Sequence, residues 1–345
     1  MGRNRVTGEP ALQAHLPSSA PFPLDPRESM LDFGRRVIVA EAQALSVLVG
    51  ALDAEFERAV KLLLSLRGRV VVTGMGKSGH IARKVAATLA STGTPALFIH
   101  PAEAAHGDLG MLVPGDALLA LSNSGGTTEL RPILAHAASL DIPIVAISAG
   151  GTSPLMQASD IRLLMPPVDE ACPDNLAPTT STAMMMALGD ALALATMRER
   201  GTSRDGFEML HPGGVIGRRL MRVTALMHAG DGMPLVAATL SMRDVILVMT
   251  ARSFGVAGVV DAAGCLRGII TDGDLRRHVD DLLTATAGDV MTRDPVTIPG
   301  RCFAEDALAV MNDRKITSVF VVDDVHPERP IGLIHIHDFL RLGLE

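Results

Sequence analysis

Tryptophan and tyrosine are absent from the 345 residues, and nine phenylalanines bring the aromatic content to only 3%. With no block of Lys or Arg and a net charge of −7, the chain offers neither stacking platforms nor a cationic footprint, so direct nucleic-acid binding is excluded. Long apolar runs are lacking too. The stretch from Ala183 to Leu194 is broken by Gly189 and Asp190, well short of the roughly 20 residues that a membrane helix needs, and no span is expected. Residues 1–30 hold Arg3 and Arg5 but no continuous apolar core of a secretory signal. Gly2 lacks the Ser or Thr at position 6 that myristoylation wants, because Val6 stands there. Cysteines number three, Cys172, Cys265 and Cys302, an odd and widely spaced set that fits a reduced, cytoplasmic setting better than a disulfide framework.

Hydrophobic residues make up 48% of the chain against 20% charged, enough for two or three packed domains. Residues 1–30 carry Pro10, Pro17, Pro21, Pro23 and Pro26 and read as a flexible tail. From Leu31 to Leu66 apolar residues recur at helical spacing, with a break expected at Gly50. Aliphatic runs then begin at Val70, Ala96, Ala117, Ile144 and Ile161, the first four each followed by a loop and a helical stretch. Continuous apolar strands alternating with helices predict a doubly wound, five-stranded parallel α/β sheet. Its last helix is expected to start under hydroxyl caps near Pro178-Thr179-Thr180 and to end at Gly201, with Met184-Met185-Met186 as core filler. The C-terminal third repeats itself. Met242–Met249 matches Ala304–Met311, and Gly268–Leu275 matches Gly332–Phe339, which predicts two α/β units of about 60 residues sharing a core.

Five passages carry candidate chemistry. Gly74-Met75-Gly76-Lys77-Ser78-Gly79 follows the first strand and satisfies the dinucleotide fingerprint, but the second strand ends in His100-Pro101-Ala102-Glu103, a poor match to the acid that should hold a ribose. Val71 stands where a triphosphate-binding loop needs its first glycine, which excludes that reading. Ser122-Asn123-Ser124-Gly125-Gly126-Thr127-Thr128-Glu129 follows the third strand; four hydroxyls and two glycines at a helix start suit a phosphate monoester held without a metal. His100, Glu103, His106 and Asp108 offer donors for a metal or for acid/base work, although their spacing fits no familiar zinc pattern. Glu170-Ala171-Cys172-Pro173 and His211-Pro212-Gly213-Gly214 complete the set.

With these blocks in this order, joined by Ser91-Thr92-Gly93-Thr94-Pro95 and Leu176-Ala177-Pro178-Thr179, the chain from Leu31 to Leu344 closely resembles the arabinose 5-phosphate isomerases. These join a sugar-isomerase (SIS) domain, here residues 31–215, to paired cystathionine-β-synthase-type (CBS) repeats, here 222–282 and 286–345. The resemblance implies interconversion of D-ribulose 5-phosphate and D-arabinose 5-phosphate on the way to Kdo and lipopolysaccharide or capsule, without a required cofactor. It maps catalytic roles onto Lys77, Glu129, Glu170 and His211. A substrate site lined by Ser78, Gly93, Thr94, His100, Glu103, His106, Ser122, Asn123, Ser124, Thr127 and Thr128 is expected, with His100 a contact for inhibitory zinc. Gly126 departs from the acid that often follows Ser-Asn-Ser-Gly in this family.

Isomerisation at C1 and C2 needs a base, an oxyanion stabiliser and a proton shuttle, which suit a carboxylate, a Lys and a His. The sequence does not choose between Glu129 and Glu170 as base. The resemblance further implies a homotetramer with active sites at subunit boundaries, and a nucleotide ligand at Asp274 and Asp338 of the repeats, the second site altered by His335. The competing readings are a sugar-phosphate isomerase of other specificity and a non-catalytic sugar-phosphate sensor.

Overall fold

The computed structural model describes residues 22–211 and 213–344. They form two compact units that divide between Ser203 and Arg204. The myristoylation reading at Gly2 and the first 21 residues of the expected tail lie outside the described part. The end of that tail does not behave as one: Phe22 meets Phe33 edge-on at 5.9 Å, and the Arg36 guanidinium lies 4.1 Å from the Phe22 ring centre while binding Glu28 and the Pro23 carbonyl. The prolines prevent regular structure there, but a cation and two rings supply the packing.

The first unit begins with α1 (Met30–Ala51) and α2 (Ala54–Ser65). The break falls at Leu52-Asp53 rather than at Gly50, because the Asp53 carboxylate caps α2 through the Glu55 amide. The strands β1 (Val70–Gly74), β2 (Ala96–Ile99), β3 (Ala117–Leu121), β4 (Ile144–Ser148) and β5 (Ile161–Leu164) are all parallel, in the order β2-β1-β3-β4-β5. Between them run α3 (Gly76–Ser91), α4 (Pro101–Ala104), α5 (Arg131–Ser139) and α6 (Pro154–Gln157), and α7 (Thr180–Arg200) closes the unit.

Alternate strand residues feed two cores. Val70, Val72, Leu119, Leu121, Val145 and Ile147 pack with α1, α2, α3 and α7, whereas Val71, Leu118, Ala120, Ile144 and Ala146 pack with α4, α5 and α6. This is the expected doubly wound sheet. All five carboxyl ends lie on one edge, and the chain order reverses between β1 and β3, which is where such sheets place their ligands.

Helices α3 and α7 run side by side in the same direction. Lys84 binds Asp190, the space a Gly189 side chain would take is filled by Val85 Cγ2 at 2.3 Å, and Arg200 at the far end donates to the Gly93 carbonyl at 2.8 Å. Gly201 ends α7 in the left-handed conformation, with Met184 and Met185 buried as expected.

The second unit opens with α8 (Arg204–Leu210) and α9 (Val215–Leu220). Residues 204–215, assigned above to the SIS domain, pack here instead: Arg204 binds Asp306 at 2.8 Å and faces the Phe303 ring, and Arg222 binds Asp205. The first repeat holds β6 (Leu235–Ala237), α10 (Met242–Arg252), β7 (Val256–Val260), β8 (Leu266–Thr271), α11 (Asp272–Arg277), α12 (Ala287–Val290) and β9 (Thr292–Arg293). The second holds β10 (Thr297–Pro299), α13 (Ala304–Arg314), β11 (Ser318–Val322), β12 (Pro330–His335) and α14 (Ile336–Arg341).

The two repeats exchange short flanking segments. Val223, Leu226 and Met227 pack into the core of the second repeat and His228 bridges Leu333, while Ala287, Val290 and Met291 pack into the first. Each repeat is thus finished by a segment that lies outside it in sequence. Val256, Leu266, Phe320 and Leu333 form the shared core between them.

Candidate active site

The carboxyl edge of the first sheet gathers most of the expected site. After β1, Gly76 turns the chain at φ +58° into α3, and Gly79 packs so close that a Cβ would lie 2.5 Å from the Gly74 carbonyl. Small residues are therefore required here by the strand-to-helix turn itself. Lys77 stands exposed in the first turn of α3, and no carboxylate among the described residues lies within ion-pair distance of it. Ser78 follows, half-buried.

After β3, Ser122 is 3% exposed, and its hydroxyl pairs with Thr127 Oγ1 at 2.8 Å and accepts the Gly125 amide at 3.1 Å. Ser122 thus pins the loop from inside. Asn123, Ser124 and Thr128 are exposed and Thr127 is half-buried, with Ser124 Oγ accepting the Gly126 amide. A brace missed in the sequence comes from β4: the Ser148 hydroxyl donates to the Asn123 carbonyl at 3.1 Å, and a Cβ on Gly150 would lie 2.4 Å from the Ser124 carbonyl. The loop passes through a turn at Thr128–Leu130 into α5, so its hydroxyls and amides surround a helix start. Glu129 is exposed there and accepts from Thr128 Oγ1 at 3.1 Å.

Glu170 is placed quite differently. It is 7% exposed, and its Oε2 accepts the Thr179 amide at 2.8 Å, the Ser181 amide at 3.1 Å and the Thr179 hydroxyl at 3.4 Å. The expected hydroxyl caps of α7 are therefore replaced by this carboxylate; Thr179 Oγ1 and Thr180 Oγ1 instead receive the Ala171 amide. An anion is favoured at this end of a helix. Because α3 and α7 are parallel and Val85 meets Gly189, counting back eight residues on each sets Lys77 level with Ser181, about 12 Å along both axes. Lys77 and Ser181, whose amide donates to Glu170, thus lie level in the first turns of neighbouring helices.

His100 caps α4, its Nδ1 accepting the Ala102 amide at 3.3 Å, so Nε2 is the nitrogen left for a ligand. Glu103, His106 and Asp108 are exposed beyond it. Among the described residues no three His, Cys, Asp or Glu side chains converge as a metal site. Gly93 and Thr94 do not join this edge. They precede β2 at the opposite end of the sheet, where Arg200 donates to the Gly93 carbonyl and to Thr94 Oγ1. His211 belongs to the second unit, with its ring stacked on Phe207 at 4.2 Å and its Nδ1 3.0 Å from the Phe207 carbonyl.

In the repeats, Asp274 is 3% exposed and closes a capping box with Thr271, while Thr292 and Arg277 hold its other oxygen. Burial acts to raise its pKa, but the hydrogen bonds from Thr271, Thr292 and Arg277 outweigh it and hold the carboxyl below the usual range. Asp338 accepts the His335 amide at 2.9 Å and pairs with His228 Nε2 at 3.1 Å. Both carboxylates are engaged inside their own repeats.

Comparison with known proteins agrees with this anatomy. The SIS domain model matches residues 63–195, and the CBS domain model matches 230–281 and 287–345. Arabinose 5-phosphate isomerase KdsD of Pseudomonas aeruginosa is 44% identical over 91% of this chain and 98% of its own length. The Yersinia pestis protein of the same name is 42% identical over 94% and 99%. An Escherichia coli protein solved in complex with arabinose 5-phosphate superimposes with a TM-score of 0.52 at 36% identity, covering 53% of this chain and 97% of that one. The fold and site define a SIS-domain protein with a tandem CBS module. The chain belongs to the arabinose 5-phosphate isomerase family, a family of enzymes. Among the described residues no single helix is long and apolar enough to cross a membrane.

Proposed function

We propose that the chain interconverts D-arabinose 5-phosphate and D-ribulose 5-phosphate in the cytoplasm, supplying Kdo for lipopolysaccharide or capsule. The names of its relatives and the neighbour solved with arabinose 5-phosphate support the substrate. The observation that carries the chemistry is the parallel seating of α3 and α7, which brings Lys77 and the Glu170 carboxylate to adjacent first turns at the carboxyl edge.

In this reading the phosphate sits on the hydroxyls and amides of Ser124, Gly126, Thr127 and Thr128 at the start of α5. Glu170 removes the proton from C2 of the aldose. The C–H electron pair forms the C1–C2 double bond, and the carbonyl electrons move onto O1, where the Lys77 ammonium stabilises the enediolate. His211, supplied by a neighbouring chain of the assembly, moves a proton from O2 to O1 of the enediolate, and Glu170 returns its proton to C1, leaving the ketose. Glu170 is favoured over Glu129 as base because three hydrogen bonds fix it in a buried place, whereas Glu129 is exposed and held by its neighbour alone. The reaction is redox-neutral overall and calls for no cofactor.

A homotetramer is part of the same proposal. Leu31, Ile38, Val49 and Leu52 are exposed at 42–72% along and just beyond α1, an apolar set suited to a second copy. Gly93 and Thr94, remote from the carboxyl edge of their own sheet, would serve the site of a neighbouring chain. Nucleotide binding by the repeats belongs to the proposal only with a shift of the Asp274 and Asp338 carboxylates from their inward partners.

The test is turnover of D-arabinose 5-phosphate by metal-free protein in deuterated water, with ribose 5-phosphate and glucose 6-phosphate as controls. The expected result is ketose formation with solvent deuterium entering the carbon-bound position, confined to the arabinose compound. Binding without turnover or exchange would overturn the proposal in favour of a sensor.

A further inference from the structure

Three buried side-chain nitrogen or oxygen atoms among the described residues have no hydrogen-bond partner, and Ser181 Oγ is the hydroxyl among them. Ser181 is 3% exposed in the first turn of α7, and its own amide binds Glu170 Oε2 at 3.1 Å. Among the described residues the side-chain acceptor bonds of Glu170 converge on Oε2, from Thr179 N, Thr179 Oγ1 and Ser181 N, so Oε1 is the oxygen without one. By covalent geometry a serine hydroxyl lies about 3 Å from its own amide nitrogen, which keeps Oγ within a side-chain rotation of the Glu170 carboxyl group. A buried hydroxyl left unpaired is costly, and Glu170 is the acceptor its backbone already holds.

We infer that Ser181 is a positioning residue for Glu170, its hydroxyl pairing with the carboxyl group through the proton-transfer cycle. The inference rests on Glu170 acting as the base. Two of the three bonds to Oε2 come from amides, which donate only and so suit the carboxylate. A base in an aldose–ketose isomerisation alternates between carboxylate and carboxylic acid. A hydroxyl donates to the first and accepts from the second, so Ser181 stays paired in both. It would keep Oε1 aimed while the proton waits for C1.

The test compares the full-length protein with Ser181→Ala and Ser181→Thr. Steady-state turnover of D-arabinose 5-phosphate is one arm. The other, independent of turnover, is the carboxylate stretching band of Glu170, isolated as the isotope-edited infrared difference between each protein and its Glu170→Gln derivative. Ser181→Ala is expected to lower kcat about tenfold with KM changed less than twofold, as for one hydrogen bond lost at the reacting group. It should also shift the Glu170 band. Ser181→Thr should return both to near the parent values. An unshifted band in Ser181→Ala, or a loss that appears in KM alone, overturns the inference. If the parent protein turns over nothing, the isomerase proposal fails on its own, and the band still decides whether Ser181 holds Glu170. Should Ser181→Ala not fold, Ser181→Cys replaces it, keeping the volume and weakening the bond.

Discussion

Glu170 Oε2 accepts the Thr179 amide at 2.8 Å, so the carboxylate assigned as base is also the N-terminal cap of α7. The two roles separate by substitution. Glu170→Gln keeps a side-chain oxygen for the amides but cannot take a proton, and kcat should fall by about 10²–10⁴. The accompanying loss of charge at the helix start should cost only about 1 kcal/mol. Glu129→Gln touches an exposed side chain and should lower kcat far less. Measuring kcat and solvent exchange for both variants checks this; a deeper loss in Glu129→Gln would reverse the assignment.

The phosphate loop is predicted to fail through its glycines before its hydroxyls. Gly125 has φ +64°, and a Cβ there would lie 2.0 Å from Ser153 Oγ; on Gly150 it would lie 2.4 Å from the Ser124 carbonyl. Ser153 can rotate away, whereas a backbone carbonyl cannot, so Gly150→Ala should displace the loop itself. KM for the sugar phosphate should rise at least about tenfold, equivalent to roughly 1.4 kcal/mol of lost binding. Competition by inorganic phosphate should weaken in parallel, measured as its inhibition constant.

Five strand runs and the Gly- and Ser-rich turns after them were legible because buried parallel strands read as continuous aliphatic segments. The site was legible where chemistry follows a strand directly, as at Lys77 and Ser122. Its remaining geometry depended on contacts distant in sequence. Nothing near Glu170 announces that it caps α7, since Thr179 and Thr180 look like sufficient caps by themselves. Ser181 reads as one more helix-start hydroxyl until its burial is known. The exchange of segments between the repeats was not legible, because similarity marks the copied strands and helices, whereas residues 223–227 and 287–291 reach their cores through packing.

The second repeat should be less stable in mild acid than the first. His335 replaces the Thr271 of the first repeat as cap, and its Nδ1 accepts the His337 amide at 3.2 Å, which requires a neutral ring. Burial lowers its pKa from 6.5, helped by His337, His228 and Arg341 and opposed by Asp338. A depressed folded-state pKa means that the unfolded chain binds the proton more readily, so stability is fully present above about pH 6.5 and is lost as pH falls through the folded value. Amide-exchange protection in α14, corrected for the intrinsic rate at each pH, should therefore fall between pH 7 and 5. His335→Thr should remove that fall in protection; an equally steep pH dependence in that variant would refute the assignment.

The register of α3 against α7 is fixed where Val85 occupies the space of the missing Gly189 side chain, and the level of the Glu170-capped start of α7 with Lys77 follows from that register. Gly189→Ala would put a Cβ 2.3 Å from Val85 Cγ2, and overpacking of this kind costs about 1–3 kcal/mol. Val85→Ala opens a cavity instead and is also expected to destabilise by about 1–3 kcal/mol. Combined, the added methyl enters the space the valine vacates, so the double variant should be more stable than the sum of the two losses predicts. Denaturant unfolding of the four proteins measures that coupling. If the single substitutions simply add, the two residues do not set the register, and the level of the α7 start with Lys77 must come from another contact.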